Sequence, residues 1–334
     1  DAIRDKWNPE FAGLVIVDPQ SGEIYSMAML PDYDPNTFNQ EKSSSIFLNP
    51  IVESVFEMGS IIKPLTIAAG IDSDTITANS TYNDKGFLIL NNTTVSNYDG
   101  KGRGVVNMQQ VLNQSLNTGV AYVAGKMGNE AFSSYMLGFG LGEETGIDLP
   151  NEASGLLSSL YSNQDIDYAS ASFGQGIAMT PIATVRALSA LANGGKLVNP
   201  HIVKQIVYKI GTSKAIEHGN IVQVIKKETA EEVTRMLVEV VDKALLEGKV
   251  KLLNWSVAAK TGTAQIAKEE GGGYYDDRFL HSFFGYFPAY NPKFLIFLFA
   301  KNPHGAVYAS ETLTHPFINI TKFLINYYKI PPDR

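Results

Sequence analysis

The sequence predicts an α+β fold: a central antiparallel sheet drawn from both ends of the chain, flanked by helices, with a mostly helical part between. Three observations lead there. Strand-like apolar segments stand near the start and throughout the last third, helical periodicity dominates the middle, and no internal repeat or low-complexity tract interrupts the chain. These patterns place a sheet part at about 1–50 and 220–334 and a mainly helical part at about 51–219, within a single domain of 334 residues.

Gly13 to Asp18 and Glu23 to Met29 read as two strands, and Pro19-Gln20-Ser21-Gly22 between them supplies the turn of a hairpin. Residues 31–55, rich in Pro, Asn and Ser, read as a long connection. Asn107 reads as the N-cap of a helix through Val111, and Gly119 to Met127 as a helix ending at Gly128. The Ser-rich stretch from Asn151 to Asp167 reads as a surface excursion. Pro181 opens an apolar helix to Ala192, which Asn193-Gly194-Gly195 stops. Residues 228–246 form a helix with Val233, Met236, Leu237, Val240 and Val241 on one face. Trp255 to Ile266, Phe279 to Pro288 and Lys293 to Lys301 read as strands, with Gly271-Gly272-Gly273 in the first connection. A helix near Pro316 to Tyr327 completes the pattern.

Composition narrows the function. A net charge of −7, with no basic block longer than Lys226-Lys227, argues against a nucleic-acid partner, which needs clustered Lys and Arg. There is no cysteine, so disulfides, thiolate metal sites and a Cys nucleophile are excluded. The five histidines are far apart in sequence and lack metal-ligand spacing, so neither a metal nor a Ser-His-Asp triad is expected. The longest apolar run, Phe294 to Ala300, is too short to cross a bilayer, and no signal peptide is legible at the start.

Three short motifs carry chemistry. Ser60-Ile61-Ile62-Lys63 opens the apolar segment Pro64 to Ile71; on a helix, Lys63 would stand one turn from Ser60 on the same face. A serine hydroxyl needs a base within reach, and a lysine serves once burial or a second cation has made it neutral. A helix N-terminus also offers N–H groups to an oxyanion. Taken alone, this spacing fits a plainer reading better, with Ser60 an N-cap and Lys63 an exposed helix residue.

Ser115-Leu116-Asn117 lies between helical stretches; the hydroxyl can relay a proton and the amide can orient a peptide, although such residues more often serve as caps. Lys260-Thr261-Gly262-Thr263 interrupts an apolar strand with a cation and two hydroxyls, which suits an anionic substrate, and Gly262 permits close approach. An edge strand with solvent-facing polar residues fits the same pattern.

In this order the three motifs resemble the transpeptidase domain of penicillin-binding proteins, specifically the monofunctional class B type. The likeness covers Gly13 to Pro331. Phe56 to Pro64 is similar to the family's nucleophile segment, Val111 to Gly119 to its second motif and Lys260 to Gln265 to its third; Tyr33 to Phe38, Leu137 to Gly142 and Phe173 to Pro181 add to it. Three departures stand out: Met58 where Pro is usual, Ile61-Ile62 for a commoner pair, and Ala259 where Gly is frequent. They imply a less rigid loop before Ser60.

The resemblance implies the penicillin-binding, serine β-lactamase-like transpeptidase fold and D,D-transpeptidation of peptidoglycan stem peptides. Ser60 would attack the penultimate D-Ala carbonyl and Lys63 would take its proton. Backbone N–H groups of Ser60 and Thr263 would hold the oxyanion, and Ser115 would pass the proton to the leaving D-Ala. Asn117 would orient the donor, while Lys260, Thr261, Gly262 and Thr263 would form the subsite for its carboxylate. β-Lactam antibiotics would imitate that donor; no metal or organic cofactor is implied. The resemblance also implies an extracytoplasmic placement. An N-terminal membrane anchor and a pedestal would stand outside this chain, through which a glycosyltransferase and other division or elongation proteins would be met. Two other readings share the motifs. One is a β-lactamase or D,D-carboxypeptidase, whose hydrolytic carboxylate the segment Asn151 to Asp167 could hide; the other is a β-lactam sensor or division scaffold.

Overall fold

The computed structural model describes residues 2–270 and 272–334. Its centre is a five-stranded sheet of β1 (Phe11–Val17), β2 (Ile24–Leu30), β3 (Ala258–Ala267), β4 (Tyr274–Phe287) and β5 (Phe294–Lys301). The order is β3-β4-β5-β1-β2, with every neighbouring pair antiparallel. β5 is buried along nearly its whole length, as its unbroken apolar sequence requires of a central strand covered on both faces. β3 is left at one edge, where Thr261, Thr263 and Gln265 are half-buried along the cleft and Lys260 is buried. Of the three glycines expected in the β3–β4 connection, Gly271 lies outside the described residues.

Alternation divides the sheet's apolar residues between two cores. Val15, Val17, Leu280, Phe284, Phe297 and Phe299 join the core shared with the helical part. Ile16, Phe283, Phe287, Ile296 and Leu298 face the C-terminal helix Thr314–Tyr327, whose Phe317 ring stacks on Phe283 with centroids 4.5 Å apart. Each such buried aromatic or branched side chain contributes about 1.5–3 kcal/mol through removal from water.

On the first core lie α1 (Lys63–Asp72), α2 (Asn117–Met127), α3 (Pro181–Ala192) and α4 (Lys227–Glu239). α1 is buried from Lys63 to Gly70, the condition of a helix apolar on all sides. Asn107 caps a helix over Met108–Asn113 by accepting from the Gln110 N–H, Gly128 ends α2, and the Thr180 side chain caps α3. The helix expected over 228–246 is regular only to Glu239. A π-helical turn, Val240–Ala244, follows, and then a tight turn with Leu246 and Glu247 at φ 47° and 59° breaks it.

Other elements were illegible. Four two-stranded pairings, Thr81–Asp84 with Gly104–Asn107 among them, use strands of two to four residues, too short to display alternation. Residues 31–55 contain short helical turns, and the stretch 151–167 is no mere excursion, since Leu157 and Leu160 are buried in the core. Among the described residues no helix is long and apolar enough to cross a membrane.

Candidate active site

Ser60 lies in a 3-10 turn, Gly59–Ile61, immediately before α1, which itself begins at Lys63. Sterics hold this turn against β3. Gly59 has φ +63°, and a Cβ there would come within 2.8 Å of the Thr263 carbonyl oxygen. A Cβ on Gly262 would meet Ser282 Oγ at 2.3 Å and the Met58 carbonyl oxygen at 2.7 Å. Gly262 therefore serves less as a ligand contact than as the gap into which the nucleophile turn docks.

The departures from the family pattern do not leave this turn loose. Met58 is fully buried and its carbonyl accepts from Ser282 Oγ at 2.8 Å. Gly59 N–H donates to the Gly174 carbonyl at 3.1 Å, and Phe56 and Met179 exchange backbone hydrogen bonds at 3.0 Å. Ile61, Ile62 and Ala259 are buried in apolar surroundings.

Lys63 is fully buried rather than exposed, so the plain reading of the first motif fails. Its Nζ lies 2.5 Å from the Ser115 carbonyl oxygen and 3.2 Å from Ser115 Oγ. Desolvation and then the charge of Lys260 hold its pKa well below the usual lysine range. Among the described residues no hydrogen bond joins Lys63 to the Ser60 hydroxyl, a link that unliganded sites often make only with substrate present.

Ser115 connects the helix Met108–Asn113 to α2 with φ +54°, a left-handed conformation costly for a non-glycine residue. That backbone turns both its carbonyl and its hydroxyl toward the lysines. Lys260, 3% exposed, places Nζ 3.0 Å from Ser115 Oγ and 3.0 Å from the Thr261 carbonyl; burial lowers its pKa to about 7. Asn117 uses one amide N–H to hold the Ser96 carbonyl at 2.9 Å, which leaves its carbonyl oxygen and its second N–H to meet a ligand.

Ser60, Ser115, Asn117, Lys260, Thr261 and Thr263 line one open cleft of about 590 Å³, beneath which Lys63 is buried. A larger hollow of about 840 Å³, bordered by Asn193, Glu231 and Arg235, contains none of these residues. The cleft also has walls that the sequence did not mark. Tyr98 and Tyr308 meet across it edge to face, with centroids 6.0 Å apart, and Gln175 and Leu246 line it. Gln175 falls in a stretch that resembles the family but suggested no role; Tyr98 and Tyr308 carry no sequence signal.

Among the described residues no carboxylate lines the cleft. The acidic residues of 151–167 are engaged elsewhere: Glu152 with Thr145, Asp165 with Asn129 and Asp167 with Ser162. Glu57, missed in the sequence, lies three residues before Ser60. Its Oε1 accepts from Gly176 N–H at 3.0 Å and from the Tyr274 hydroxyl at 3.1 Å, and burial raises its pKa. The histidines are not all apart, since His201 and His218 stack with centroids 3.5 Å apart; His281 is buried on β4, and among the described residues no histidine lines the cleft. Among the described residues no cluster of three or more acidic, His or Cys side chains is placed to hold a metal.

Comparison with known proteins gives a consistent pattern. The family model described as the penicillin binding protein transpeptidase domain matches residues 12–320. Stage V sporulation protein D of Bacillus subtilis is 31% identical over 327 residues, 95% of this chain and 49% of that protein. Penicillin-binding protein PbpB of Mycolicibacterium smegmatis is 29% identical over 340 residues, 99% of this chain and 52% of its own. The chain thus spans about half the length of the curated relatives it matches. Among solved structures, penicillin binding protein 3 of Mycobacterium tuberculosis complexed with aztreonam superposes with a TM-score of 0.90 at 26% identity. That match covers 100% of this chain and 76% of the other.

Proposed function

Since the chain belongs to the penicillin binding protein transpeptidase family, we propose that it cross-links peptidoglycan stem peptides as a serine D,D-transpeptidase, through an acyl-enzyme on Ser60. The observation that carries this reading is the convergence of two buried lysines on the Ser115 hydroxyl, in the cleft that Ser60 lines. A buried amine with its pKa depressed, as that of Lys63 is, acts as a base rather than a counter-ion.

In this reading neutral Lys63 takes the Ser60 proton as Oγ attacks the carbonyl of the penultimate D-Ala. The tetrahedral oxyanion is held by the backbone N–H groups of Ser60 and Thr263. Collapse breaks the peptide bond, and Ser115, in contact with both lysines, passes a proton to the leaving amine. Asn117 orients the donor through its free carbonyl oxygen, while Lys260, Thr261 and Thr263 meet the terminal carboxylate beside the gap at Gly262. A neighbouring stem-peptide amine then attacks the ester, its proton returns through the same groups, and Ser60 is regenerated.

A β-lactam occupies the donor's place. Relatives of this chain include structures complexed with aztreonam and ampicillin, which supports the same inhibition here. The site would act on the outer face of the cytoplasmic membrane, where peptidoglycan lies, with a glycosyltransferase and division or elongation proteins as partners through regions outside this chain. The sheet part and the helical part would form the two sides of one domain, with the cleft along their seam.

Intact-protein mass spectrometry after incubation with benzylpenicillin tests the reading. A persistent single adduct, absent in Ser60→Ala, is the expected result. Rapid drug hydrolysis with only a transient adduct would move the assignment to a hydrolase, and no adduct on the native chain would overturn the Ser60 chemistry.

A further inference from the structure

Thr263 stands directly opposite His281 in the β3–β4 register, so their side chains share a face of the sheet. Val307 to Ser310 line the cleft, the segment from Ala309 to Thr312 packs on β3 and β4, and His281 hydrogen-bonds to Val307 and Thr312 at its two ends. The ring is fully buried, with Nε2 3.0 Å from the Val307 carbonyl oxygen and Nδ1 2.8 Å from Thr312 Oγ1. A carbonyl can only accept, so Nε2 carries the proton, and in a neutral ring Nδ1 then accepts from the Thr312 hydroxyl at 2.8 Å, the shorter of that hydroxyl's two contacts, the other being the Ala309 carbonyl at 3.3 Å. Burial lowers the ring's pKa to about 4, which keeps it neutral at ordinary pH.

Between these two anchors lies Ala309, whose N–H donates to Thr263 Oγ1 at 3.0 Å. A hydroxyl has one proton and two lone pairs. With a lone pair engaged by Ala309, and no other partner for the Thr263 side chain among the described residues, its proton is left for whatever enters the cleft.

We propose that His281 is a positioning residue for anion recognition: by anchoring Val307 and Thr312 it presents the Ala309 N–H to Thr263 and keeps the Thr263 hydroxyl a donor to the ligand's carboxylate. The inference rests on the proposed reading that a carboxylate-bearing donor acylates Ser60. His281 touches no substrate; it acts through the wall.

The test compares Ser60 acylation of the whole chain by benzylpenicillin and by its methyl ester, which lacks the anion, each as a second-order rate followed by mass spectrometry. The expected result for His281→Leu is a loss of about 10-fold or more with benzylpenicillin, the scale of a hydrogen bond to a charged group, and a change below about 2-fold with the ester. Thr263→Val should lose the same preference for the acid, and combining the two substitutions should add little. His281→Gln, which can both donate to Val307 and accept from Thr312, should restore much of the preference. Thr312→Val, close to isosteric, should lower it in the same direction should His281→Leu fail to fold. Equal slowing with both probes, or an unchanged preference in His281→Leu or Thr312→Val, would overturn the inference while leaving the Ser60 chemistry standing. Failure of benzylpenicillin to acylate the native chain would instead overturn the functional reading and this inference with it.

Discussion

Lys63 and Lys260, separated by most of the chain, meet at one atom: their Nζ groups lie 3.2 and 3.0 Å from Ser115 Oγ. Two cations cannot share so small a buried space, so the environment disfavours full protonation. Desolvation dominates for both amines, and the Lys260 charge further depresses Lys63. The outcome is a pair of amines that lose their protons more readily than an exposed lysine, beside a hydroxyl in contact with both.

The first prediction concerns the acid limb of the acylation rate. Lysine is a base only when neutral, so the rate should fall about tenfold per pH unit below the controlling pKa. Replacing Lys260 by Met removes the charge that lowers Lys63, so the Lys63 pKa should rise and the acid limb should move to higher pH. A log rate against pH profile checks this. A limb that stayed in place, or moved to lower pH, would contradict the coupling.

Ser115→Ala removes the atom both amines address while leaving the backbone carbonyl that Lys63 also contacts. Acylation should fall about 10²–10⁴-fold, the usual scale of a lost proton-transfer group. Circular dichroism and the urea midpoint should stay close to those of the native chain. A loss of stability as large as the loss of rate would point to a structural serine instead.

Gly262→Ala should damage both fold and rate. The added Cβ would fall within 2.3 Å of Ser282 Oγ and 2.7 Å of the Met58 carbonyl, and the second contact is backbone. Overpacking of this kind costs about 1–3 kcal/mol, and it displaces the turn that bears Ser60. Denaturant titration and stopped-flow acylation should both register it; native-like values in each would show that β3 and the turn are not in close contact.

Glu57 gives a stability prediction with a definite sign. Its folded pKa is raised, chiefly by burial, so the native state holds the proton more tightly than the unfolded chain does. The corresponding stabilisation is present below the unfolded pKa and is lost as pH rises through the folded one. Glu57→Gln, which keeps an acceptor for Gly176 but cannot ionise, should therefore gain stability relative to the native chain between pH 4 and 8. Urea midpoints across that range check it; a gap that narrows as pH rises would refute the assignment.

What could be read without a structure was local. The Ser60 to Lys63 spacing, the Asn107 cap, the Pro181 to Ala192 helix and the apolar run of β5 are all written in neighbouring residues, because helices and strands impose short periods on the chain. The order of the three motifs was legible for the same reason, and with it the resemblance that led to the family. The sequence by itself thus determined which residues are candidates for the chemistry and which family the chain belongs to.

Tertiary structure decided the state of those residues. Whether Lys63 is a buried base or an exposed cation depends on Ser115 and Lys260, which lie 52 and 197 positions away. Glu57 is joined to Tyr274, Thr263 to Ala309 and His281 to Val307 only because the sheet and its neighbours bring distant segments together. No local period encodes such contacts. Desolvation, which moves the pKa values, is a property of the packed whole, and so the chemistry became specific only once the chain had folded.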